Sequence, residues 1–114
     1  MIIEDNLLNM TLFSDLLEYQ GYEIIKAFDG QEALRILKDK RPSLILLDIQ
    51  LPDINGIDIY KIIKSNEAYK NIKVVVVTAE FAKKEEIEKY SFDDYIYKPI
   101  SIETFISKIK NILG

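Results

Sequence analysis

The chain has no cysteine and no histidine among its 114 residues. Without cysteine there is no disulfide framework and no thiolate metal site, and the composition suits a reducing compartment. Without histidine there is no Ser-His hydrolytic pair, no imidazole zinc site and no phosphohistidine of the chain's own. Glycine and proline are scarce as well, at 4 and 3, so no linker rich in them divides the chain and no internal boundary is expected. No apolar run approaches the roughly 20 residues needed to span a bilayer. The start lacks the basic stretch and cleavage site of a secretory signal. Positive charge is in deficit: Lys and Arg number 15 against 19 Asp and Glu, a formal charge of −4. That balance argues against nucleic-acid binding by this domain alone. What remains is one acidic, cytoplasmic domain whose chemistry must rest on carboxylates, lysines and hydroxyls.

What the chain does contain is a regular alternation of short apolar runs with helical periodicity. Met1-Ile2-Ile3 stops at Glu4-Asp5. Asn6 or Asn9 is placed to cap a helix with Leu8, Leu12, Phe13, Leu16 and Leu17 on one face, closed by Gly21. Tyr22 to Ala27 reads as a strand and Asp29-Gly30 as a turn. A helix from Gln31 to about Lys38 follows, with Ala33, Leu34 and Leu37 inward. Leu44 to Leu47 is continuously apolar, as in a strand buried on both faces, and ends at Asp48. Pro52 and Asn55-Gly56 precede a helix from Ile57 to about Ser65. Val74 to Val77 is a second fully apolar strand, ending at Thr78. A polar helix is expected over about Lys83 to Tyr90, then a short strand, Tyr95-Ile96-Tyr97, ending at Lys98-Pro99. Ser101 caps a last helix bearing Ile102, Phe105, Ile106, Ile109 and Ile112.

Five strands alternating with five helices predict an α/β fold with a parallel sheet covered on both faces. Ligands of such sheets bind beyond the carboxyl ends of the strands. The residues just past those ends are Glu4, Asp5, Asp48, Thr78 and Lys98, and they should meet at one rim. Three carboxylates there repel one another and call for a cation. An all-oxygen donor set suits a hard ion, Mg²⁺ or else Mn²⁺. Glu4, Asp5 and Asp48 bring −3, while Mg²⁺ and Lys98 bring +3. Such a balanced site fits phosphoryl transfer, with Asp48 as nucleophile forming an acyl phosphate. Asp5 would hold the metal, Glu4 would help directly or through water, and the Gln50 backbone carbonyl would add a ligand. Thr78 and Lys98 would bind phosphoryl oxygens. Singly, each residue has a blander role: a turn or capping Asp, acids favouring a helix dipole, a strand-end Thr, a solvated Lys. Their joint placement at four strand ends is what singles them out.

These residues resemble the response-regulator receiver family, CheY-like in fold, over nearly the whole chain. The carrying motifs are Ile3-Glu4-Asp5-Asn6, Asp29-Gly30-Gln31-Glu32-Ala33-Leu34, Leu47-Asp48-Ile49-Gln50-Leu51-Pro52 with Gly56, Val77-Thr78-Ala79, and Tyr95-Ile96-Tyr97-Lys98-Pro99. The segments around Glu4 to Asn9 and Asp48 to Pro52 are most similar to DivK-type single-domain regulators and the receivers of hybrid kinases. The resemblance implies the doubly wound strand order 2-1-3-4-5 and Mg²⁺ as cofactor. It implies, as phosphodonor, a phosphohistidine on a sensor histidine kinase or histidine phosphotransfer protein. It makes Tyr95 the switch aromatic that turns inward behind Thr78, and Lys98-Pro99 a cis peptide. Gln50 and Glu80, two past Asp48 and Thr78, hold the positions that tune access of hydrolytic water. The face of the fourth helix, fifth strand and fifth helix is the output surface toward an effector or a second copy. Two other readings stand beside it. A carboxylate-nucleophile phosphatase needs a second Asp where Gln50 stands, and a degenerate receiver that only binds a partner would have no use for the intact acid, Thr and Lys set.

Two departures from the family pattern carry expectations. The first strand has three residues before the acidic pair, where five or six are usual. A central strand so short should cost stability or mark missing N-terminal residues of the receiver domain, residues 1–114. The interval from Thr78 to Lys98 is about two residues short, and Tyr90-Ser91-Phe92 replaces a small, glycine-containing turn, so the fourth helix should be short or irregular.

Overall fold

In the computed structural model, which describes residues 1–79, 85 and 88–114, the apolar runs are strands and the periodic stretches are helices. β1 (Ile2–Ile3), β2 (Lys26–Ala27), β3 (Leu44–Asp48), β4 (Lys73–Thr78) and β5 (Asp94–Tyr97) form one parallel sheet in the order β2-β1-β3-β4-β5. Among the described residues the helices are α1 (Leu7–Tyr19), α2 (Gly30–Leu37), α3 (Gly56–Ser65) and α4 (Ile102–Leu113). Fold class and strand order are those expected. The polar helix expected over 83–90 lies largely outside the described residues, as does Glu80; Glu88 and Lys89 form a turn.

Alternation along each strand divides the core into two halves. Ile3, Ile45, Leu47, Val74 and Val76 face Ala33 and Leu37 of α2 and Ile59 and Ile63 of α3. Ile2, Leu46, Val75, Val77 and Ile96 face Met10, Phe13 and Leu17 of α1 and Phe105 and Ile109 of α4. The Phe13 and Phe105 rings stack at 5.3 Å and join the two helices on that face. Every residue of β3 is buried, and each such aliphatic side chain stabilises the fold by about 1.5–3 kcal/mol.

Two expectations are corrected locally. The inward face of α1 is Met10, Phe13, Ser14 and Leu17, whereas Leu8 is 81 % and Leu12 39 % exposed. The helix is apolar nearly all round, so periodicity alone does not choose a face; packing on β1 and β3 does. β2 is shorter than Tyr22–Ala27 because a two-residue β1 offers no partner further back: Ile2 donates to the Ile25 carbonyl, and Tyr22–Ile24 run on outside the ladder. A groove of about 600 Å³ lies between that segment and Ser43-Leu44, with Met1 and Ile2 in its lining. Phe92, where a small turn residue was the usual pattern, is buried and packs on Tyr60 at 4.3 Å. Of that turn Phe92 joins the core, Tyr90 is half-buried and Ser91 is exposed.

Candidate functional site

Strand register brings the chemistry together. Asp48 pairs with Val77, so Thr78 reaches one residue further on β4; Thr78 pairs with Tyr97, so Lys98 reaches one further beyond β5. On the other side Ile3 pairs with Leu47, which sets Glu4 beside Asp48 and Asp5 next to the rim. Side-chain capping holds the first turn behind this rim: the Asn6 side chain accepts from the Asn9 amide at the start of α1. Glu4, Asp5, Asp48, Thr78 and Lys98 therefore all sit where the sequence placed them, at the carboxyl end of a parallel sheet.

Carboxylate oxygens of Glu4, Asp5 and Asp48 lie within 4.8 Å of one another. Lys98 bridges two of them, with Nζ 3.0 Å from Asp48 Oδ2 and 3.1 Å from Glu4 Oε1. The other oxygens are held by backbone: Asp48 Oδ1 accepts from the Gln50 amide at 2.9 Å and Glu4 Oε2 from the Asn6 amide at 3.1 Å. Glu4, Asp48 and Thr78 are buried while Asp5 is exposed, so the cluster opens to solvent on one side. Burial pushes the Glu4 carboxyl from 4.5 to about 7, with the neighbouring Asp48 adding to the rise and the Asn6 amide and Lys98 opposing it. Burial acts to lower the Lys98 ammonium, yet Asp48 and Glu4 outweigh it and hold its pKa above the usual lysine value.

The donor set suits a hard divalent ion. It is all oxygen, converges from three carboxylates, and keeps an exposed side, which suits an ion that holds on to several waters. A fixed cation, Lys98, is paired with the two buried acids of the cluster. Chemically, such a rim can offer a carboxylate nucleophile flanked by cationic and hydroxyl groups for a transferring phosphoryl. Tyr95 is half-buried on the face lined by Tyr60, Tyr90 and Phe92, and its hydroxyl donates to the Tyr90 carbonyl at 3.0 Å. Burial raises its phenol pKa, helped by Glu88 and Asp94. The Lys98-Pro99 peptide is cis. Two contributors went unmarked in the sequence. Asn6 looks only like a helix cap, and its second role, fixing Glu4 through its amide, has no side-chain signature. Asp53 reads as a turn residue after Pro52, yet its carboxylate bonds amides of α2.

A doubly wound parallel sheet whose carboxyl rim carries three acids, a threonine and a bridging lysine defines the phosphoacceptor class of signalling domains. Comparison with known proteins agrees: the chain belongs to the response regulator receiver family, whose model, described as "Response regulator receiver domain", matches residues 1–110. It is 48% identical to the polar-differentiation response regulator DivK of Brucella anthropi, over all of this chain and 94% of that protein. Among solved structures, the receiver domain of a sensor histidine kinase from Pseudomonas aeruginosa, with a magnesium ion coordinated in its active site cleft, superposes with a TM-score of 0.85. That pair is 26% identical and covers 99% of this chain and 95% of the other. The response regulator TrrA of Thermotoga maritima, in complex with Mg²⁺-BeF, gives a TM-score of 0.87 at 26% identity, covering 97% of this chain and 95% of TrrA. The chain is a two-component receiver domain similar to DivK, and receivers of this family work with histidine kinases and phosphotransfer partners. Among the described residues no helix is long and apolar enough to cross a membrane.

Proposed function

We propose that residues 1–114 form one receiver domain that accepts a phosphoryl group on Asp48. The donor would be the phosphohistidine of a sensor histidine kinase or histidine phosphotransfer protein in the cytoplasm. The observation that carries this reading is the Lys98 bridge to Asp48 and Glu4 beside an exposed Asp5. A carboxylate oxygen of Asp48 attacks phosphorus, the P–O bond forms as the P–N bond breaks, and the electron pair leaves with the imidazole nitrogen. Lys98 turns from the Asp48 carboxylate to a phosphoryl oxygen, and the Thr78 hydroxyl takes another. Asp5, Asp48 and the Gln50 carbonyl would hold Mg²⁺, with Glu4 directly or through water; Mn²⁺ fits the same oxygen donors. When bound, the ion supplies positive charge to the phosphoryl oxygens and offsets the acids. Gln50 and Glu80, two residues past Asp48 and Thr78 in the sequence, would tune access of hydrolytic water. The chain is modified and released, not turned over as an enzyme.

The modification brings about −1.5 to −2 charges to a buried rim. Thr78 moves toward them, and Tyr95 turns inward, leaving the Tyr90 carbonyl. The face of β5 and α4 is thereby changed toward an effector or a second copy. The test is incubation with acetyl phosphate and Mg²⁺ followed by intact-mass measurement. Wild type should gain one phosphoryl group and Asp48→Asn none; equal labelling of the two would sink the assignment.

A further inference from the structure

A helix leaves its first amides without partners inside the helix, and each must be met from elsewhere. In α2 the Gly30, Gln31 and Glu32 amides are met, but from two sources. The Asp29 side chain accepts from the Glu32 amide at 2.8 Å, while the Asp29 carbonyl takes the first intrahelical bond, from the Ala33 amide at 3.2 Å. The Gly30 and Gln31 amides instead donate to Asp53, at 2.9 Å to Oδ1 and 2.9 Å to Oδ2, across 23 and 22 residues. Asp53 Oδ1 also takes the Ile54 amide at 2.8 Å, and these amides hold its carboxyl below the usual range. Gly30 makes the approach possible: a Cβ there would lie 2.6 Å from Ile59 Cδ1, 3.1 Å from Ile54 Cβ and 3.3 Å from Asp53 Oδ1.

Asp53 lies in the loop that runs from Asp48 to α3. The base of that loop is fixed where the Gly56 amide donates to the Ile49 carbonyl at 2.9 Å, and its start where the Gln50 amide donates to Asp48 Oδ1. Asp53 fixes the outer end, on a different element. We propose that Asp53 is a positioning residue: by clamping this loop to the first turn of α2 it sets the Asp48–Gln50 backbone for the cation. This rests on the Mg²⁺ reading of the rim. Asp53 touches neither cation nor phosphoryl group; it acts through the loop, as outer partners of metal ligands do.

The test is Mg²⁺ titration followed by amide shifts of Asp48 and Gln50 in ¹⁵N NMR spectra of wild type, Asp53→Ala and Asp29→Ala. Both variants strip caps from the same helix end, and both should lower the unfolding midpoint. Only Asp53→Ala frees the loop, and it should weaken Mg²⁺ about tenfold, while phosphoryl incorporation at saturating Mg²⁺ returns to the wild-type extent. Asp29→Ala should bind Mg²⁺ as wild type does. Equal Mg²⁺ affinity in Asp53→Ala and wild type, or equal weakening in both variants, overturns the clamp and leaves the site reading standing. Wild type without Mg²⁺-dependent shifts overturns the site reading itself, and the clamp with it. Should Asp53→Ala prove unfolded, Asp53→Asn, which keeps one carbonyl acceptor, must show an intermediate affinity.

Discussion

At the scale of single residues, Glu4 is where burial and function conflict. Its carboxyl is 1% exposed and meets Asp48 and Lys98 at once. An acid whose pKa rises from 4.5 in the open chain to about 7 in the fold holds a proton that the unfolded chain has released. Its contribution to stability is complete below about pH 4.5 and is lost as pH rises through about 7. Urea unfolding in EDTA should therefore show wild type losing stability, relative to Glu4→Gln, as pH climbs across that window and running parallel to it above. A constant gap between the two from pH 4 to 8 would show that folding leaves the Glu4 carboxyl unshifted. The bridging Lys98 gives no competing slope in this range, because its ammonium is held above the usual lysine value.

At the scale of elements, the loop after β3 is built on contact with backbone. A Cβ on residue 56 would stand 2.6 Å from Ile49 Cα and 2.7 Å from the Asp48 carbonyl oxygen, and no side-chain rotation relieves either. Gly56→Ala should cost about 1–3 kcal/mol or more, read as a lower urea midpoint at unchanged slope. Much of this was legible in the sequence. Leu44 to Leu47 and Val74 to Val77 announced buried parallel strands because strands covered on both faces read as short, continuous, β-branched or aliphatic runs. The rim residues followed because each stands at the end of such a run. What the sequence hid depends on contacts between distant segments. The inward face of α1 is chosen by the sheet rather than by its own pattern, since Leu7, Leu8 and Leu12 are as apolar as the buried Met10 and Leu17. The pairing of Asp53 with α2 spans more than twenty residues, and an acid after proline carries the same local signal whether it caps its own turn or another helix. The length of β2 was hidden for a similar reason, being set by its partner β1 rather than by Tyr22–Ile25 themselves.

At the scale of the molecule, one sheet carries both halves of the core, so the rim is coupled to global stability. Ile2 and Ile3 point to opposite faces, and β3 contributes Leu46 to one half and Leu47 to the other. Unfolding either half dismantles the strand ends that gather Glu4, Asp5 and Asp48, and an unfolded chain has no such cluster. A cation that binds only the gathered acids must then stabilise the whole fold, by about 2.7 kcal/mol at a hundredfold excess over its Kd. For a domain of this size about 1 kcal/mol corresponds to roughly 4 °C in Tm, so the gain should be about 10 °C. Circular dichroism melts in EDTA and in excess MgCl2, matched in ionic strength with NaCl, measure it. Asp5→Ala removes the exposed carboxylate while leaving the buried Lys98 bridge in place, and its Tm should be nearly the same in both buffers. If Asp5→Ala gains as much as wild type, the ion is screening the net charge of −4 rather than occupying the rim. In that event the stability of the fold and the chemistry of the site are independent.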